Sequence, residues 1–397
     1  MSKGKTSEKI IAAAAVILVA LTGGTAQFRP AVEPPQQHEM IFDHVQPTGE
    51  LPDMGAAEWI PVESVPHGKR TEDAQEQMPE ATPEPEPEYF TLHFIGDCTL
   101  ASAVGFQGGP NGYDTITGGD VNYPFAKTAQ YFADDDFTMA NCECCFTESN
   151  NATAKTFTFK TGAEYAGVFP AGSVEFVTLA NNHVLDYGKT GYDDTKAALD
   201  AVGVAYAGRD EWTIYETESG LKIGIYAVSF GTFDQIREGI AAVKEAGADF
   251  IIAALHFGDE GSYQINGDQQ VQAHAAIDLG ADFVYGSHPH TLQPMEEYNG
   301  GLITYSMGNW TFGGNTNPRD KDTFILRMEL RRDPDGTVSI SDYEIIPCAS
   351  SGELSYNNYQ PVLYAEDGEG YQRVLSKLDG TFTGANLTIG YSYSANE

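Results

Sequence analysis

Nine short apolar runs, at 90–95, 137–140, 176–180, 223–228, 250–255, 283–285, 302–306, 324–330 and 338–346, constrain what this chain can fold into more than any other feature. They are of strand length and rich in β-branched and aromatic residues, and helical patterns at 124–133, 192–202, 233–246 and 268–279 fall between them. Such alternation predicts an α/β domain. Pro124 suits a first helical turn, and Gly203, Gly247 and Gly280 suit helix C-termini. The last two runs flank Asp333-Pro334-Asp335-Gly336, a turn signal that reads as a hairpin. The main domain is expected at 89–350, and the weaker polar and aromatic pattern of 351–397 reads as a packed C-terminal appendage.

Residues 1–26 read as an export signal: Lys3, Lys5 and Lys9 precede an apolar run at 10–21, and small residues follow around Gly24 and Ala26. Counted as far as Ala26, the run sits at the low edge for a membrane helix, so a cleaved signal peptide and a retained N-terminal anchor both stay open. No cysteine follows it, which argues against a lipoprotein. Either reading puts the domain outside the cytoplasm, at the cell surface or in the extracellular space. Residues 27–88 hold roughly half of the 20 prolines and many glutamates without apolar periodicity, so they are expected to form a disordered Pro/Glu-rich linker.

A formal net charge of -35, from 57 acidic and 22 basic residues, excludes partners drawn in by positive charge: nucleic acid and anionic lipid surfaces. Five cysteines are too few for a disulfide scaffold, and an odd number leaves at least one without an intramolecular partner.

Position singles out the candidate site. Asp97, Asn141 with Glu143, Asn182 with His183, His256, and His288 with His290 each stand just beyond an apolar run. In open α/β sheets, sites are built in the crevice outside the carboxyl ends of the strands. Singly, each residue has an ordinary explanation, a turn cap for Asp97 or a hydrogen-bonded core imidazole for His256; arriving together from five segments, they point to one site. Pro289 fixes the backbone between His288 and His290. Carboxylates, an amide oxygen and several imidazoles without an obligatory thiolate suit one or two divalent transition metals, Mn, Fe or Zn. In a two-metal site a bridging carboxylate holds the ions about 3.5–4 Å apart and water between them is activated as a nucleophile.

The motifs Gly96-Asp97-Cys98-Thr99, Asn141-Cys142-Glu143, Asn181-Asn182-His183-Val184-Leu185-Asp186-Tyr187-Gly188, His256-Phe257-Gly258-Asp259-Glu260, Gly286-Ser287-His288-Pro289-His290 and Ser306-Met307-Gly308-Asn309-Trp310 occur in the order seen in CapA-type poly-γ-glutamate capsule biosynthesis proteins, which the chain resembles over 89–347. That family looks like a branch of the calcineurin-like metallophosphoesterases. The resemblance implies a four-layer αββα sandwich with the site at the strand ends and a metal-dependent hydrolase activity. It implies that Asp97 and His290 hold one metal, that Asn182, His256 and His288 hold the other, and that Glu143 bridges them. His183 then faces the substrate as a proton or hydrogen-bond donor, and its spacing to Asp186 makes that carboxylate the orienting group. By the same resemblance Glu260, Gln293, Glu296 and Asn309 recur in that family's motifs, either around the ligands and substrate or in turns and caps. Metallophosphoesterases usually carry Asp-x-His at the first motif, and Thr99 stands at the third position here, which removes one ligand of the first metal.

Cys98 and Cys142 flank two of these ligands and pair, contact a metal or face the core; the core reading leads, because a free cysteine behaves as a small hydrophobe. Cys144, Cys145 and Cys348 carry no assignment. Two functions compete: a surface hydrolase acting on a phosphoester, and a non-catalytic capsule-assembly component that binds anionic poly-γ-glutamate through its metals. Other capsule-synthesis membrane proteins are the partners implied.

Overall fold

The computed structural model describes residues 86–387. The expected signal or anchor at 1–26, the linker as far as residue 85 and the last residues of the C-terminal segment lie outside them. No helix among the described residues is long and apolar enough to cross a membrane.

Two sheets organise the chain. The first has the order Val362–Leu363, Val338–Ala349, Asp322–Arg332, Glu88–Thr99, Phe137–Cys142, Phe176–Thr178, Ala205–Ala207, with Asn309–Phe312 pairing off Glu88–Thr99. The second runs Met295–Tyr298, Gly301–Thr304, Phe283–Ser287, Phe250–His256, Lys222–Ser229, Glu211–Glu216. Glu88–Thr99, Phe137–Cys142, Phe176–Thr178 and Ala205–Ala207 run parallel in the first sheet, and Lys222–Ser229, Phe250–His256, Phe283–Ser287 and Gly301–Thr304 in the second, while the remaining strands of the two orders pair antiparallel.

Side-chain alternation decides what each face covers. In Phe250–His256, Phe250, Ile252 and Ala254 join Phe94 and Phe137 of the first sheet in one core, while Ile251, Ala253 and Leu255 face a second core with Ile236, Ile240 and Ala276. The sheets therefore pack face to face, with Phe94 and Phe283 ring centroids 4.6 Å apart. Helices Phe233–Glu245 and Gly267–Asp278 cover the outside of the second sheet, and Gly188–Val202 supplies Ala198 and Leu199 to the outer core of the first. The result is a mixed α/β architecture of two packed sheets with helices outside. Thr232 with Gln235, and Asn266 with Gln269, form capping boxes that start the two helices over the second sheet.

The hairpin read at Asp333–Gly336 joins Asp322–Arg332 to Val338–Ala349, and Gly203, Gly247 and Gly280 each follow a helix with positive φ. The helix expected at 124–133 does not form. Successive i→i+3 turns run there and end in a short 3₁₀ turn at Ala129–Tyr131. Phe125 and Phe132 both bury their rings against Trp310, at 6.2 and 6.1 Å, and that packing overrides the helical pattern. Residues after 350 join the fold through Val362–Leu363 and through helix Glu369–Leu378, whose Val374 and Leu378 enter the core between the sheets.

Because the central strands run parallel, their carboxyl ends collect at one edge of each sheet. Register aligns Asp97 with Asn141 and Asn141 with Thr178 in the first sheet, and Ser229, His256 and Ser287 in the second. Gly96 permits the closest approach: a Cβ there would lie 2.1 Å from the Gly308 carbonyl oxygen, which accepts a hydrogen bond from Asp97 N at 2.8 Å.

Candidate metal centre

Five segments deliver the polar side chains. Asp97 lies near the end of Glu88–Thr99, Glu143 follows Phe137–Cys142, Asn182 and His183 follow Phe176–Thr178, His256 ends Phe250–His256, and His288 and His290 follow Phe283–Ser287. His288 and His290 take positive φ values of 101° and 56°, a costly backbone for non-glycine residues that the flanking structure enforces.

Their ligand atoms form two groups, each within 4.8 Å: Glu143 with His256 and His288, and Asp97 with Glu143 and His290. Glu143 belongs to both. Its Oε1 lies 3.7 Å from His256 Nε2 and 3.9 Å from His290 Nε2, and His290 Nδ1 is 3.3 Å from Asp97 Oδ2. Asn182 Oδ1 stands 3.0 Å from His256 Nε2, beside the first group. Partners behind the ligands fix their orientation. Ser287 Oγ is 2.9 Å from His256 Nδ1, Asn309 Oδ1 is 2.9 Å from His290 Nδ1, and Asn141 Nδ2 donates to Asp97 Oδ1 at 2.8 Å. Asn181 in turn donates to Asn141 Oδ1 and to the Cys142 carbonyl.

Buried polar atoms are normally hydrogen-bonded. Here Asp97 Oδ2, both Glu143 oxygens and His288 Nδ1 are buried without a hydrogen-bond partner. Atoms of this kind, converging on two small volumes, fit coordination to a divalent metal. Electrostatics agree. Burial holds His256 well below the usual imidazole value and, with the neighbouring imidazoles, pulls His288 down to about 3, so both rings keep the lone pairs that a metal needs. Burial also pushes the Glu143 carboxyl up, against the pull of His290. Burial alone would lower His290, but Glu143 and Asp97 outweigh it and lift that ring to about 10.

The sequence model of the bacterial capsule synthesis protein family, PGA_cap, matches residues 91–314, more than half of the chain and all of the residues just described. The chain belongs to this family. It is 28% identical over 281 residues to the PGA biosynthesis protein CapA of Bacillus subtilis (strain 168), covering 64% of this chain and 70% of that protein. To the capsule biosynthesis protein CapA of Bacillus anthracis it is 26% identical over 326 residues, 74% of each chain. Among solved structures, the NAD nucleotidase of Haemophilus influenzae aligns at 13% identity and a TM-score of 0.38 over 74% of this chain and 63% of that one. Purple acid phosphatase from yellow lupin aligns at 12% identity and a TM-score of 0.31 over 66% and 55%. Likenesses of that grade carry no inference about chemistry.

In this capsule-family member, His183 stands beside the clusters and on the lining of a cavity of about 560 Å³ that His290 and Asn309 also line. Its Nδ1 is 2.8 Å from Asp186 Oδ2, and Asp186, fully buried, also accepts from Phe159 N at 2.9 Å and from Lys155 Nζ at 2.8 Å. Glu260 lies on the cavity lining. Gln293 and Glu296 are engaged elsewhere: Gln293 spans Gln269 and the carbonyls of Ser262 and Gln264, and Glu296 sits 3.0 Å from His274 and accepts from Tyr305 at 2.8 Å. All five cysteines are free and buried, with Cys98, Cys142, Cys144 and Cys348 in the outer core of the first sheet. Thr99 is fully buried with its hydroxyl unpartnered.

Sequence reasoning missed Lys155, Asn181 and Phe230. Lys155 sits in a polar stretch with no periodicity to mark it, and Phe230, half exposed at φ 49°, sets its ring 4.9 Å from that of His288. Asn181 was legible: it adjoins Asn182, and a second amide at a strand end is the signal.

Proposed function

We propose that this chain is an exported capsule-synthesis protein whose strand-end clusters form the metal centre of a phosphoesterase-type hydrolase. The domain is then a four-layer αββα sandwich of the metallophosphoesterase type, acting on poly-γ-glutamate or on a phosphoester during capsule assembly. One observation carries the reading: partnerless buried atoms of Asp97, Glu143 and His288 converge in two groups that share Glu143. Bound there, Mn, Fe or Zn supplies Lewis acidity and makes water a stronger acid. Asp97 and His290 hold one position, Asn182, His256 and His288 the other, and Glu143 reaches both. The Asp186 contact occupies His183 Nδ1 and leaves Nε2 to donate to a leaving or equatorial oxygen of the substrate. Lys155 and Phe159 N hold Asp186 in that pose. Residues 1–26 export the domain, as a cleaved signal or as an anchor that tethers it near other capsule-synthesis membrane proteins; relatives named for PGA and capsule biosynthesis support the pathway.

The test is direct. Purified protein loaded with Mn²⁺ or Zn²⁺ retains one to two equivalents and turns over a chromogenic phosphodiester or monoester. His183→Ala lowers that turnover about 10²–10⁴-fold with metal content unchanged. Absence of retained metal after loading sinks the reading. Thr99, in place of a ligand, favours a second one, in which the centre binds poly-γ-glutamate without turnover; polymer binding with no ester hydrolysed decides for it.

A further inference from the structure

The cavity beside the clusters, at about 560 Å³, is far larger than one phosphoryl or carboxyl group requires, so a ligand reacting at His183 extends along it. Phe159, Phe312 and Leu387 give it apolar walls, and its lining carries two permanent cations, Lys155 and Arg319. Lys155 is committed, its ammonium bonded to Asp186 and to the Asn182 carbonyl. Arg319 is not. It is exposed and has no hydrogen bond or ion pair among the described residues, in a chain where acidic residues outnumber basic ones 57 to 22.

The backbone that presents Arg319 is nevertheless pinned. The next residue, Asp320, accepts from Lys377 Nζ at 2.6 Å and from Tyr263 at 2.8 Å, and Asp322 is held by Arg373 and Lys377 at 2.6 Å. The neighbouring acid is therefore already neutralised and does not compete for the guanidinium. Glu260, the other acid on the lining, acts on Glu143 and His290 and so belongs to the cluster end. A planar five-donor fork left unpaired on a fixed segment is arranged to receive an oxyanion bidentately.

We propose that Arg319 is a specificity residue, taking a carboxylate of the substrate chain at a distance from the bond that reacts at the clusters. The proposal rests on the reading above of a capsule-polymer site, and it selects a carboxylate-bearing chain over a neutral one.

Full-chain, Mn²⁺-loaded protein is titrated calorimetrically with a γ-linked glutamate oligomer and with the same oligomer amidated, for wild type, Arg319→Gln and Arg319→Lys. Wild type prefers the acid by about tenfold, as one charge-assisted bidentate contact gives. Arg319→Gln erases the preference and Arg319→Lys keeps part of it, with the melting temperature unchanged in both. A preference that survives in Arg319→Gln, or that is absent from wild type, overturns the proposal. So does an Arg319-dependent preference shown by a glycerol-phosphate oligomer and not by the glutamate one. Metal content and turnover of bis(p-nitrophenyl) phosphate, measured on the same samples, report separately on the hydrolase reading: their loss counts against that reading, whereas retained metal with an unaltered preference in Arg319→Gln counts against Arg319 alone.

Discussion

At the strand ends Asp97 Oδ2 and both Glu143 oxygens are buried without a hydrogen bond, whereas beneath the C-terminal helix Asp322 is equally buried with both oxygens engaged. Asp322 takes Tyr364 OH at 2.7 Å, two nitrogens of Arg373 and Lys377 Nζ at 2.6 Å, and these cations hold its carboxyl below the usual range against the opposing effect of burial. Desolvating a carboxylate costs several kcal/mol in either place. In the second place the chain supplies its own positive charge; in the first it sets two carboxylates beside one imidazole that they hold charged, His290, and two that burial keeps uncharged, His256 and His288, and so supplies too little. The difference separates charge that secures a fold from charge kept for something external to bind.

Substitutions test the contrast from its strongest point downward. Glu143→Gln removes the acid common to both groups, so Mn²⁺ affinity falls by more than about 100-fold, beyond the loss typical of a group behind a ligand. The metal-free variant melts no lower than wild type, because a partnerless buried acid has gone. A large fall in metal-free stability would erase the distinction. Lys377→Met does the reverse: it strips the cation from Asp320 and Asp322, costs about 3 kcal/mol in denaturant unfolding, and leaves metal retention intact. Ser287→Ala frees His256 Nδ1 and lowers metal affinity about tenfold without shifting the unfolding midpoint. The smallest effect is expected at Glu175, outside both clusters, where burial lifts the carboxyl to about 7 although Thr138 N donates to it at 2.8 Å. A raised folded value means that its contribution is fully present below the unfolded value, near 4.3, and is lost as pH rises through about 7. Glu175→Gln therefore raises the melting temperature at pH 8 and not at pH 4. Equal shifts at both would show that the group is not neutral in the fold.

Strands were legible because apolar runs end abruptly: the expected 250–255 and 283–285 appear as Phe250–His256 and Phe283–Ser287, longer by His256 in the first and by Gly286 and Ser287 in the second. Edge strands Glu211–Glu216 and Met295–Tyr298 were not, since half-exposed sequence with charges lacks the signal. Helix Glu369–Leu378 escaped notice because only three of its residues are buried and its attachment depends on ion pairs made with positions fifty residues earlier. Asp97, Glu143 and the histidines could be named from the sequence because each stands just beyond or soon after an apolar run. Arg319 could not, since what marks it is the lack of a partner, which only three-dimensional packing reveals.

The clusters draw on segments from Asp97 to His290, joined only through strand pairing and the packing of one sheet on the other. An unfolded chain keeps only the His288-Pro289-His290 fragment of the centre together, so most of the affinity for any cation these side chains hold belongs to the native state. Binding then adds RT ln(1 + [L]/Kd) to stability, about 2.7 kcal/mol at a hundredfold excess over Kd. Scarcity of the ion would reach such a protein first as shortened lifetime and proteolytic loss, ahead of any idle active site.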